Sequence, residues 1–195
     1  VGSEMCIRDR LDPKNPYAHK DLGVVYLSQR LFDYAKEEFE TAYKMAPEDS
    51  AVVFEMANFY HAMNDFQKAK ELYEKAFKLA PEVMDIAVFR AINYLRLNEI
   101  DTALELFLDA MKKYPSQHII LFNIGLIYYQ KGNFDAAKEF LSDAYSLYQD
   151  PETMNALAMT FYELKEYENS KNLTHKLIEQ FPDNINLLLL LAKLP

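Results

Sequence analysis

Pro13, Pro47, Pro81 and Pro115 stand 34 residues apart, and Pro182 follows after 67, one residue short of two further periods. A fixed period of this length constrains the fold more than composition does. A unit of 34 residues is too short to close a core alone and must bury its apolar face against its neighbours. Each proline ends a similar tripeptide: Leu11–Pro13, Met45–Pro47, Leu79–Pro81, Lys113–Pro115 and Gln180–Pro182. One deletion near Tyr148–Pro151 accounts for the short interval.

The same phase holds at other positions. Leu22-Gly23 and Tyr26 align with Met56-Ala57 and Tyr60, with Ile124-Gly125 and Tyr128, and with Leu157-Ala158 and Phe161. Ala35, Phe39 and Ala42 align with Ala69, Tyr73 and Ala76, and with Ala103, Phe107 and Ala110. Each period reads as two helices. In the second these cover about 50–63 and 66–79, with Asn64-Asp65 as the turn and Pro81 as the stop, since proline cannot continue a helix. Gly132-Asn133 reads as the same turn two periods on. Small residues recur at Gly23, Ala57, Ala91, Gly125 and Ala158 on the first helix, and at Ala35, Ala69, Ala103, Ala137 and Ser170 on the second. They let backbones approach closely, while Tyr26, Tyr60, Tyr94, Tyr128 and Phe161 fill the space beside them.

This order of large, small and aromatic positions resembles the tetratricopeptide repeat family, over Leu11 to Pro195. The resemblance implies an all-α, right-handed superhelical solenoid of antiparallel helix pairs. Its five whole repeats would be 16–49, 50–83, 84–117, 118–150 and 151–184, with partial repeats at 11–15 and 185–195. It also implies a concave groove lined by the first helices. On that mapping repeat one supplies Val24 and Leu27, repeat two Phe54 and Asn58, and repeat three Val88, Ile92 and Leu95. Repeat four supplies Ile119, Phe122, Leu126 and Tyr129, and repeat five Met159 and Tyr162, with Glu152 and Asn155 at matching positions.

The middle of that surface is apolar, which suits an apolar peptide or an amphipathic helix of a protein partner. A clamp for carboxylate tails, known in the family, is not matched: Val24 follows Lys20 where asparagine is needed, and Phe54-Glu55 stands where the next asparagine would be. The chain therefore reads as a protein–protein interaction scaffold without catalysis. Three other readings stay open: the repeat region of a larger enzyme of glycosyltransferase or kinase type, an envelope assembly factor, and a groove filled by another helix of the same protein.

Other chemistries find little footing. His19, His61, His118 and His175 occupy four different phases without partners at metal-binding spacing, and no glycine-rich phosphate loop is present. No metal, cofactor or catalytic residue is expected. A net charge of −9 opposes nucleic acid as the main partner. The longest apolar run, Ile185–Ala192, is broken by Asn186 and falls far below the ~20 residues of a membrane span. The compartment is not determined: cytoplasmic is the default, and export stays open if a signal precedes Leu11.

Residues 1–10, VGSEMCIRDR, fit no phase of the repeat. Glu4–Arg10 resembles a translated sequencing adapter, the alternative being a natural disordered tail, and the segment is set aside from fold reasoning. Four local expectations complete the reading. Arg90 occupies the slot of Leu22, Met56, Ile124 and Leu157, so its guanidinium must meet an acid or reach solvent. Lys70–Glu74 and Glu71–Lys75 should pair along their helix. Repeat five matches the pattern less closely, with Thr174 for the aromatic and Leu177 for the small residue, so its packing should be less regular. The leucines of 187–191 should make the segment 185–195 prone to self-association.

Overall fold

The computed structural model describes residues 14–195, so the reading of residues 1–10 lies outside the described residues. Among the described residues there are eleven helices and no strand. They are α1 Pro16–Ser28, α2 Phe32–Met45, α3 Ser50–Ala62, α4 Phe66–Leu79, α5 Met84–Arg96, α6 Ile100–Lys113, α7 His118–Gln130, α8 Phe134–Leu147, α9 Pro151–Glu163, α10 Tyr167–Gln180 and α11 Ile185–Lys193. The chain divides into two compact units, Val1–Ala103 and Leu104–Pro195, the division falling inside α6.

One turn recurs after every odd-numbered helix from α1 to α9. Arg30, Asn64, Asn98, Gly132 and Lys165 all have positive φ, between 59° and 74°. Each closes its helix with the same two bonds: at the fourth turn, the Gly132 amide donates to the Tyr129 carbonyl and the Asn133 amide to the Tyr128 carbonyl. That pair of bonds is a Schellman closure, which requires one left-handed residue. The deeper acceptor is in every case a member of the aromatic column, Tyr26, Tyr60, Tyr94, Tyr128 or Phe161.

In the first unit α1 packs on α2, α2 on α3, α3 on α4 and α4 on α5. Leu22, Tyr26, Ala35, Phe39, Met56 and Phe59 form one core cluster, and Val53, Ala76 and Ile86 another. Gly23 is small for a reason, since a Cβ there would stand 2.8 Å from the Phe39 ring. Arg90 finds its acid: Nε donates to Glu74 Oε1 at 2.7 Å, and the guanidinium lies 4.3 Å from the Phe77 ring centre. Tyr94 donates to the same carboxylate oxygen at 2.9 Å, and burial, followed by that carboxylate, pushes its phenol pKa up to about 12.

The pairs expected along α4 are replaced by pairs to other elements. Lys70 reaches Glu99 at 2.8 Å, Lys75 reaches Glu48 at 2.9 Å, and Glu74 is taken by Arg90. The second unit repeats the first of these, with Lys138 Nζ 2.7 Å from Glu166.

In the second unit α7 packs on α8, α8 on α9, α9 on α10 and α10 on α11. Its core holds Ala137, Leu141, Met154, Leu157, Ala158, Leu173, Leu177 and Leu187. The residues that depart from the repeat in the last hairpin are packed in: Thr174 and Leu177 are fully buried, and the Thr174 hydroxyl donates to the Ser170 carbonyl at 2.8 Å. Ser170 in turn donates to the Ala158 carbonyl at 2.8 Å, tying α10 to α9 where alanines stand elsewhere. A threonine whose hydroxyl turns back onto its own helix fills such a slot without an unsatisfied polar group. The connection from α8 to α9 spans only residues 148–150, against 46–49, 80–83, 114–117 and 181–184, which places the deletion where the interrupted period locates it.

Candidate functional site

The groove residues implied by the repeat fall in both units, and the second unit gathers several of them. Phe122, Leu126 and Tyr129 follow one another at helical spacing on α7 and so share a face. With Ala156 and Met159 of α9 they wall a hollow of about 250 Å³, rimmed by Glu152 and Asn155. Met159 is 38% exposed, and Phe122, Leu126 and Tyr129 are half-buried, so apolar surface lies open to solvent. Ile119 is exposed but is not among the walls, and Tyr162 packs its ring 6.0 Å from Tyr167. Burial, and after it the charge of Glu163, raises the Tyr129 phenol pKa above its ordinary value. Ala156, which the repeat mapping did not single out, also lines the hollow.

The first unit treats its share differently. Val88 is only 2% exposed and belongs to the core, so it is corrected from a surface residue to a packing one. Phe54 sits 6.0 Å from Tyr73 and 5.7 Å from Phe89, ring centre to ring centre. Asn58 accepts from the Tyr73 hydroxyl at 2.7 Å and donates to Glu55 at 3.1 Å, so its amide is engaged internally. Val24 is exposed, while Leu27, Ile92 and Leu95 are half-buried, Leu27 against the first core cluster.

Two polar clusters were not read from the repeat. Asn93 is fully buried in α5, donating to the Phe66 carbonyl at 2.9 Å and facing His61 Nδ1 at 3.0 Å. Since the Asn93 amide nitrogen is the donor to Phe66, its carbonyl oxygen accepts the imidazole N–H. Burial lowers the His61 pKa, with nearby Arg96 acting the same way and the Asn93 bond opposing. A side-chain amide in a column otherwise held by Val25, Phe59, Ile127 and Thr160 was the available signal.

The second cluster joins His118 Nε2 to Thr153 Oγ1 at 2.8 Å and to Asp150 Oδ2 at 2.9 Å. It has the composition of a nucleophile, base and orienting acid but not the arrangement. The Thr153 hydroxyl donates to Asp150 at 2.6 Å, is fully buried, and belongs to the cap of α9. Burial works against the Asp150 charge, but the Thr153 bonds and His118 outweigh it and hold the carboxyl below its usual range. Among the described residues no three His, Cys, Asp or Glu side chains converge as a metal site, and no helix is long and apolar enough to cross a membrane.

Models described as tetratricopeptide repeat match residues 26–92, 90–153 and 156–184. The chain belongs to the tetratricopeptide repeat family, a class of protein-interaction scaffold. No curated protein matches it in sequence. Among solved structures it is similar to TTC0263, a thermophilic repeat protein of Thermus thermophilus, with 22% identity, a TM-score of 0.71, and coverage of 91% of this chain and 97% of that one. Pseudomonas aeruginosa pilF gives 21% identity and a TM-score of 0.81, over 90% of this chain and 80% of the other. YrrB, described as having an unusual peptide-binding site, gives 16% identity and a TM-score of 0.69, over 94% of each chain. At these identities the likeness is one of fold.

Proposed function

We propose that this chain is a non-catalytic scaffold that holds an apolar segment of a partner protein, peptide or helix, against its first helices. The observation that carries the reading is the hollow between α7 and α9, where four of the residues implied by the repeat, Phe122, Leu126, Tyr129 and Met159, meet around open apolar space. A concave, mostly apolar site with a few polar rim groups is the form that small anchors enter. The peptide-binding site described for YrrB is in keeping with this use of the fold.

The test is selection of peptides from a random displayed library on the full chain, followed by binding to Phe122→Glu and Ile92→Glu. Loss of at least about tenfold in affinity, with unchanged helical circular dichroism, is the expected result. Binding that survives both substitutions moves the site to the outer face or the connecting turns.

A second element of the reading is self-association through α11. Ile185, Leu188 and Leu189 are 70%, 44% and 53% exposed, an apolar face that a second molecule can cover.

A further inference from the structure

Neither α7 nor α9 contains a lysine or arginine. The one charged residue among the walls of their hollow is Glu152. Glu163 stands at the other end of α9, close enough to Tyr129 for its charge to act on that phenol. From Glu152 to Glu163 is eleven residues, three helical turns, so both carboxylates lie on the side of α9 that carries Asn155 and Met159. At a rise of about 1.5 Å per residue they are about 16 Å apart, with the apolar hollow between them. The first unit differs, since α1 carries Lys20 and α5 carries Arg90 and Arg96.

Resting on the groove reading above, we infer that the occupant of the α7–α9 hollow is a basic–apolar–basic segment: an apolar anchor seated between Phe122 and Met159, with a lysine or arginine on each side facing Glu152 and Glu163. An extended chain advances about 3.3 Å per residue, so the two cations stand about five residues apart. An acidic segment would bring like charges together at both ends of an apolar seat. Such a partner is opposite in charge to a carboxylate tail. The net charge of −9 steers cationic segments toward the molecule at a distance.

The library selection decides this when the chosen peptides are sequenced and their binding is measured in Glu152→Gln, Glu163→Gln and Phe122→Glu. Enriched peptides are expected to carry an apolar anchor between two Lys or Arg residues about four to six positions apart. Each Gln substitution is expected to weaken them about three- to tenfold, and salt to do the same. Acidic or uncharged peptides that still need Phe122 overturn the inference and leave the groove reading standing, as does full affinity in the Glu152→Gln, Glu163→Gln double variant. Peptides indifferent to Phe122→Glu overturn both. If Phe122→Glu instead abolishes self-association in sedimentation, the occupant is a second copy and the inference fails.

Discussion

The finest regularity in this chain is a single left-handed residue. Asparagine and glycine are suited to that conformation, whereas a lysine or arginine there sets its Cβ against the following carbonyl, at roughly 1–2 kcal/mol. Lys165→Gly and Arg30→Gly are therefore each expected to raise stability by about 0.5–1 kcal/mol, read as a higher urea midpoint at unchanged slope. The turns at Asn64 and Gly132 were legible because those residue types announce the conformation. At Arg30 and Lys165 only the period points to it. His61 supplies a second expectation. Burial holds its folded pKa below the unfolded value of 6.5, so the fold favours the neutral ring. As pH falls through about 6.5 toward the folded value, the unfolded chain binds a proton that the folded chain does not, and stability declines. Denaturation midpoints compared at about pH 5 and about pH 7.5 should show a drop that His61→Phe reduces.

Helices in this fold owe their ends to caps of uneven quality. Asp49 accepts from the amides of Ala51 and Val52, and Asp150 from that of Thr153, but Val83 at the start of α5 offers nothing. Val83 is 42% exposed with an extended backbone, so Val83→Asp can place its carboxylate as Asp49 does. The expected gain is about 1 kcal/mol, seen as a rise in melting temperature that fades once the carboxylate is protonated. At this scale the sequence was most informative about extent: the helices of 50–79 fall within a residue or two of their expected bounds. It was least informative about partners. Periodicity says which face a lysine occupies, not which of several acids its long side chain reaches, and Lys70 passes over Glu74 for Glu99, 29 residues away. Val88 was misplaced for a related reason: a position that faces outward in a bare hairpin is covered once neighbouring helices pack over it. The hollow's residues were legible as a periodic set, but its acid–apolar–acid order along α9 emerges only when the helix is built.

At the scale of the whole molecule, α11 exposes three large apolar side chains, Ile185, Leu188 and Leu189. Full burial of a leucine is worth roughly 1.5–3 kcal/mol, so covering the exposed parts of Ile185, Leu188 and Leu189 together offsets part of the cost of association. Sedimentation should show mass rising with concentration, and a Leu188→Lys, Leu189→Glu chain should stay monomeric over the same range. If both chains behave alike, the leucines are not the adhesive. The left-handed turns have a consequence of another kind when the five are counted together. At residues 30, 64, 98, 132 and 165 the backbone has the sign of φ natural to a mirror-image amino acid. A chain assembled by chemical ligation could therefore carry D-alanine at position 132, whose φ of 74° is one that a D residue adopts without strain. The D form should melt above the glycine parent, having fewer unfolded conformations to lose, and the L form below it. In that sense a molecule built wholly from one enantiomer keeps, among its described residues, five places at regular intervals where the other would fit better.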